Sequence, residues 1–212
     1  HSDDAEIFSA LADKIKAAFY DKRLSIDGAV FEGEMTDQLL ALYFNIFGED
    51  EESACRAYEK LTEVIKEKGT LDTGIYGTMA LLEVLAQYGG AETAYKLLTS
   101  PEYPGFMWQT ANGATSLWEQ WAYSGSMHSH NHGFFSGVDA SFYKIYGGID
   151  ASAPGFSAFK VKPVLPPQIT WSHCRLYTAS GEIEVKTEIY SFGTEMELSV
   201  PQNTRAEVWL PV

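Results

Sequence analysis

Tyr146-Gly147-Gly148-Ile149-Asp150-Ala151-Ser152-Ala153-Pro154-Gly155 is where the period of the apolar residues changes, and the fold class follows from that change. Adjacent glycines weaken a helix, and the small-residue run ending in Pro154-Gly155 favours turns. On the N-terminal side apolar residues recur in steps of three and four. Phe8, Leu11, Ile15 and Phe19 form one stripe, on a helix over about residues 4–20, and Ala54, Ala57, Tyr58, Leu61, Val64 and Ile65 form another over 51–68. The second helix carries acidic residues in its first turn, Lys66 and Lys68 in its last, and Gly69 as a left-handed cap. Leu39 to Ile46 reads as a shorter, mostly buried helix ended by Gly48, and residues 91–98 as another. Thr73 is expected to cap a helix that runs to the Gly89-Gly90 break. On the C-terminal side the period is two. Ile183, Val185, Thr187 and Ile189 alternate with Glu184, Lys186 and Glu188, and the pattern repeats at Met196, Leu198 and Val200 and at Ala206, Val208 and Leu210. With 159–164 and 169–177 this predicts about five antiparallel strands, turning at Ser180-Gly181 and Phe192-Gly193. The expected class is α+β, with helix hairpins in residues 1–150 and an antiparallel sheet or sandwich in 151–212.

Composition narrows the partners. Of 212 residues, 45% are hydrophobic and 21% charged, which excludes a disordered or low-complexity chain. Fifteen Lys and Arg against 29 Asp and Glu give a net charge of −14, a field that repels nucleic-acid phosphates and anionic membrane surfaces. A neutral or small partner is expected. No apolar run approaches the roughly 20 residues of a membrane span. His1 to Glu6 are too polar for a signal peptide, and a start at His1 without Met suggests that upstream sequence has been removed. Cys55 and Cys174 sit in segments of different character and suggest neither a disulfide framework nor a metal site.

Between the two halves, residues 103–146 have a composition of their own. Trp108, Trp118, Trp121, Tyr123, Phe134 and Phe135 are crowded there with Glu119, Asn131 and three histidines. Aromatic faces with a few polar groups suit a sugar, whose ring stacks on aromatic faces and whose hydroxyl edges demand hydrogen bonds. The competing reading is that these rings fill a core. Glu119 lies between two indoles in Ser116-Leu117-Trp118-Glu119-Gln120-Trp121, with little other charge nearby in sequence. Such a carboxylate must find donors or water, a setting for acid or base chemistry, unless it is merely a helix-surface glutamate. His128, His130 and His132 alternate, so an extended segment would turn all three to one side, where zinc could bind. Metal sites draw their ligands from separate elements with supporting partners, so no metal is expected here, and no cofactor. His132 opens an apolar helix through Phe134, Phe135, Val138, Phe142, Tyr143 and Tyr146, and suits a hydrogen bond to a sugar hydroxyl or the orienting of a carboxylate.

The ordered blocks Thr73-Gly74-Ile75-Tyr76-Gly77-Thr78, Ala94-Tyr95-Lys96-Leu97-Leu98, Tyr103-Pro104-Gly105, Gly113-Ala114-Thr115-Ser116-Leu117-Trp118-Glu119-Gln120-Trp121 and Asn131-His132-Gly133-Phe134-Phe135-Ser136-Gly137 carry a resemblance. Together they resemble the C-terminal part of bacterial α-L-rhamnosidases of glycoside hydrolase family 78. Pro154-Gly155-Phe156, Lys162-Pro163 and Gly181-Glu182-Ile183 are similar to the β-sandwich that ends those enzymes. The likeness covers nearly the whole chain, and the Trp-Glu and Asn-His blocks are specific in combination.

The resemblance implies part of an (α/α)6 toroid and an inverting hydrolase acting on rhamnose-containing glycosides. In such a reaction one acid protonates the leaving oxygen while a second carboxylate, about 6.5–9.5 Å away, activates water on the opposite face. Glu119 matches the family's general base and His132 a histidine that contacts the sugar. Trp121 and Trp108 are further candidates for the pocket. The loop between the two motifs is shorter than is usual in the family, which bears on aglycone contacts. The family's general acid lies upstream in an Asp/Glu/Arg-rich motif. Nothing in this chain matches it, since Asp72 and Glu34 lack its surroundings. The helices expected here make about half a toroid, so the remainder comes from an N-terminal half or a second chain, and these residues alone are expected to hydrolyse little. Two other readings are a toroidal glycosidase for another sugar and a non-catalytic carbohydrate-binding or subunit-docking module.

Overall fold

The computed structural model describes residues 2–23, 30, 33–126 and 129–210. Its helices are α1 (Ser2–Arg23), α2 (Met35–Tyr43), α3 (Glu51–Lys68), α4 (Ile75–Gln87), α5 (Ala91–Leu98) and α6 (Phe106–Ala111). A final helical stretch changes its winding twice: a 3-10 turn over Gly133–Ser136, then α7 (Gly137–Ser141), then a π turn over Phe142–Tyr146. Sequence reading expected one regular helix from His132 to Tyr146. The wide last turn, closed by Gly147 N–H donating to the Phe142 carbonyl at 2.9 Å, is the correction.

Helices α2, α4 and α7 lie side by side, with α3 against α2 and α5 against α4. This is a row of inner helices backed by outer ones. Helix α4 is central and apolar, burying Ala80, Leu81, Leu82, Val84 and Leu85. It meets α2 so closely that a Cβ at Gly77 would come within 2.6 Å of Thr36 Oγ1, so only glycine fits the crossing. Thr73 does not cap α4. The N-cap is Gly74, and the Thr73 hydroxyl instead pairs with that of Thr78 at 2.8 Å, because both side chains are buried beside that crossing. The stripe of α1 finds little cover: Ile7 and Phe8 are 63% and 66% exposed, and Phe19 is its contribution to the main core. The toroid is therefore incomplete, and an uncovered apolar face is its direct physical sign.

Helix α3 is built as its charges predict, with Gly69 in the left-handed conformation at its C-cap. Asp50 caps its N-terminus, Oδ1 accepting from Ser53 N–H at 3.0 Å and Oδ2 from the Ser53 hydroxyl at 2.8 Å and from the Tyr20 hydroxyl. The Tyr20 hydrogen bond first, and those from Ser53 next, hold the Asp50 carboxyl down at about 2. An unfolded Asp titrates near about 3.9. The folded state therefore binds this proton less readily, so the cap's contribution is whole above about pH 4 and is lost as pH falls toward 2. Urea melts between those pH values should show a shallower pH dependence in Asp50→Asn than in the parent; equal slopes would count against the cap.

At Ile149 the chain passes into strands β1 (Ile149–Ala151), β2 (Ala158–Val161), β3 (Trp171–Thr178), β4 (Gly181–Tyr190), β5 (Gly193–Ser199) and β6 (Arg205–Val208). Strands β3, β4 and β5 form an antiparallel meander, and β1, β2 and β6 a second sheet. The expectation of antiparallel strands throughout fails at one pair: β2 and β6 run parallel, with Ala158 opposite Arg205 and Val161 opposite Val208. Alternation shows which face is buried and says nothing about which strand lies alongside, or in which direction. The sheets enclose a small core of Ile149, Phe159, Val161, Cys174, Ile183 and Val185. Cys55 and Cys174 are both free thiols.

The helical and strand units are joined at the π turn. Lys144 Nζ reaches Glu83 of α4 at 2.7 Å and Asp150 of β1 at 4.0 Å. Desolvation works against the Lys144 charge, but the hydrogen bond to Glu83 and the charges of Glu83 and Asp150 outweigh it and raise its pKa. Gly148 has φ +71°, and a Cβ there would stand 2.2 Å from Pro163 N, so the crossing from helix to strand needs glycine at this position.

Candidate active site

Two sequence motifs separated by a loop are laid side by side. Glu119 N–H donates to the Ser129 carbonyl at 3.2 Å, and His132 N–H to the Leu117 carbonyl at 2.8 Å. Beside these rungs the Ser116 hydroxyl donates to the His130 carbonyl at 2.7 Å. The Trp-Glu and Asn-His segments thus form a short irregular ladder. Glu119 Oε2 accepts from the Ser129 backbone N–H at 3.0 Å, which fixes the carboxylate to the opposing segment. Glu119 is half-buried, as is His132.

The histidine is oriented by its own helix. His132 stands at the N-cap of the 3-10 turn, and its Nδ1 accepts from Phe134 N–H at 3.2 Å. A ring nitrogen that accepts carries no proton, so in the neutral imidazole the proton sits on Nε2, free to donate. The ring also packs edge-on against Phe134 at 3.7 Å between centroids.

The indoles adjacent to Glu119 in sequence enter different clusters. Trp118 is buried and packs edge-on against Tyr123 at 5.4 Å and His130 at 6.1 Å. Trp121 stacks on Phe135 at 4.0 Å and meets Phe106 edge-on at 5.0 Å, and its Nε1 donates to the Thr73 carbonyl at 2.7 Å. Its ring therefore belongs to the wall behind the ladder, and the bond to Thr73 ties the ladder to the N-terminal end of α4. Trp108, on α6, is half-buried and packs edge-on against Tyr103 at 5.0 Å.

Gln109 is a positioning residue that sequence reading missed. It is 2% exposed, and its Nε2 donates to the Gln120 carbonyl at 2.8 Å, holding the backbone immediately after Glu119. Its only local signal is an amide placed on the buried side of a short helix, α6, which sequence reading also missed. Of the alternating histidines, His128 lies outside the described residues, and no cluster of three metal-ligating side chains occurs among the described ones. Glu34 and Asp72 share Lys68, at 3.9 and 2.8 Å, in exposed ion pairs.

A cavity of about 450 Å³ lies nearby, lined by Tyr95, Phe106, Leu117, Val138, Phe142 and Tyr146 among others. Its walls are overwhelmingly apolar, and neither Glu119 nor His132 lines it. Burial pushes the Tyr146 hydroxyl there up to about 12, with the Tyr95 charge adding to it. A polyhydroxylated ring would need more polar edges than this cavity offers.

Comparison with known proteins agrees with this architecture. The family model described as bacterial alpha-L-rhamnosidase 6 hairpin glycosidase domain matches residues 1–145, and that of the bacterial alpha-L-rhamnosidase C-terminal domain matches 148–212. An alpha-L-rhamnosidase of Alteromonas sp. (strain LOR) is 32% identical over 208 residues, which are 93% of this chain and 22% of that protein. The Streptomyces avermitilis alpha-L-rhamnosidase, solved in complex with L-rhamnose, superposes with a TM-score of 0.90 at 27% identity, over 98% of this chain and 21% of that one. For the Dictyoglumus thermophilum enzyme the TM-score is 0.88 at 35% identity, over 96% and 23%. The chain spans about a fifth of the length of these relatives. A match to both consecutive domains, and to solved enzymes along nearly its whole length, shows that the chain belongs to the bacterial α-L-rhamnosidase family.

Proposed function

We propose that this chain supplies the general-base side of an inverting α-L-rhamnosidase site, with Glu119 activating water and His132 donating from Nε2 to a sugar hydroxyl. The observation that carries the proposal is the ladder, which holds the carboxylate and the histidine on adjoining segments through Glu119 N–H to Ser129 and His132 N–H to Leu117. A base must keep a lone pair directed at water. Glu119 Oε2 is engaged by Ser129 N–H, which leaves Oε1 to accept a proton from the attacking water as that water adds to the anomeric carbon. Trp121 forms the wall behind the ladder, and Trp108 a flanking aromatic surface. As water adds, the bond from the anomeric carbon to the glycosidic oxygen breaks on the opposite face of the ring, and the alcohol departs with a proton from an acid for which this chain offers no match.

The last point yields the test. The purified 212-residue chain should release no measurable phenol from an aryl α-L-rhamnoside, and should begin to do so only when the upstream part of a family member is supplied. Turnover by the chain alone would show that it holds its own acid. His132→Asn keeps an acceptor for the Phe134 N–H but removes the ring. It should leave the fold intact by circular dichroism and, in the completed enzyme, lower kcat/KM by roughly 10-fold, the size of one lost hydrogen bond. An unchanged kcat/KM would remove His132 from the site.

A further inference from the structure

The outward face of the β3–β4–β5 sheet has chemistry that the proposed site does not use. Alternation turns Trp171, His173, Arg175 and Tyr177 of β3 outward together with Glu182, Glu184, Glu188 and Tyr190 of β4, while Cys174, Ile183 and Val185 face the core. Trp171 is 65% exposed, Tyr177 75%, and Phe192, in the turn after β4, 87%. Large aromatic rings so exposed are unusual on a domain that has a core available to bury them.

The rings are ordered. Phe192 stacks on Tyr190 at 5.1 Å with 4° between planes, so that the pair presents an outer ring face as a platform. Trp171 lies opposite Glu188 in the ladder and so diagonal to Tyr190, about 7–8 Å away along the sheet. Tyr177 closes the other end of the face six residues along β3, about 20 Å from Trp171. Between the ends runs a polar row: Lys186 to Glu197 at 2.9 Å, Arg175 to Glu184 at 2.9 Å and His173 to Glu184 at 2.7 Å. Beside the platform Lys186, Glu188, Tyr190, Glu195 and Glu197 line a groove of about 350 Å³.

We infer that this face binds a neutral oligosaccharide chain, stacking sugar rings on Trp171 and on the Tyr190–Phe192 platform and accepting hydroxyl hydrogen bonds at the carboxylates of the row. Charge selects the ligand. Arg175, Lys186 and His173 are each already bonded to a glutamate, and Glu182, Glu188 and Glu195 add further negative charge. A uronate or sulfated glycan would meet repulsion, since the cations described on this face, His173, Arg175 and Lys186, are each paired with a glutamate. The length of the strip favours a chain over a monosaccharide. Glu119 and the helical unit play no part, so this binding stands or falls separately from the catalytic proposal.

Native gel electrophoresis of the full chain tests it, with soluble neutral polysaccharides (galactan, arabinoxylan, glucan and rhamnan) cast separately into the gels and polygalacturonate as the anionic control. At least one neutral gel should retard the parent and Glu119→Gln equally, and polygalacturonate should retard neither. Trp171→Ala and Phe192→Ala change exposed side chains and should each reduce the retardation at least several-fold, with unchanged circular dichroism. Free mobility in every neutral gel, retardation by polygalacturonate alone, or retardation that survives both substitutions would overturn the inference.

Discussion

Exchanging Glu119 for Gln should lower kcat by about two to four orders of magnitude in a hybrid where these residues replace the matching segment of the Dictyoglumus thermophilum enzyme, the result expected if Glu119 is the general base proposed above. The hybrid is reasonable because the two backbones superpose at a TM-score of 0.88. Glutamine is nearly isosteric and can still accept from Ser129 N–H through its carbonyl, so the ladder survives. What it cannot do is take a proton from water. The loss should therefore fall on kcat, with KM changed little, whereas a residue that merely binds sugar would shift KM. A non-catalytic role for the segment predicts kcat within a few-fold of the parent hybrid, and steady-state kinetics separate the two.

The second large effect concerns the strand unit. Phe159 is 1% exposed and is the largest side chain in a core with few other buried members. Its ring sits on β2, the strand that joins β1 on one side to β6 on the other, so its removal opens a void between neighbours that cannot all move inward. Phe159→Ala is expected to cost about 3–5 kcal/mol. Urea denaturation followed by circular dichroism would measure it, with Phe192→Ala, at an exposed position, staying within about 0.5 kcal/mol of the parent. A Phe159→Ala loss under about 1 kcal/mol would mean that this core does not hold the sheets together.

Much of the fold was legible because its signals are local. The α3 helix announces itself by its apolar spacing, charge polarity and Gly69, all properties of adjacent residues. The change of period after Tyr146 gives the α+β class for the same reason. Features set by distant partners were not legible. The parallel pairing of β2 with β6 depends on how the chain returns after β5, and the Thr73 hydroxyl goes to Thr78 because α2 crowds that corner. The π turn ends at Gly147, where a Cβ would stand 2.6 Å from the Cys174 sulfur of β3, a close approach that no periodicity encodes. Within the candidate site, Glu119 and His132 stood out by residue type in an aromatic segment. Gln109 did not, since its function as a support for Gln120 exists only once α6 is folded against the loop.

The role of Glu119 is most directly measured by adding azide to the Glu119→Ala hybrid with an aryl α-L-rhamnoside as substrate. A missing base leaves room for a small anion that needs no deprotonation, so the rate should recover with azide concentration and the product should be a rhamnosyl azide of inverted configuration. A hybrid that turns over at the parental rate before azide is added, or an azide product of retained configuration, would contradict the assignment.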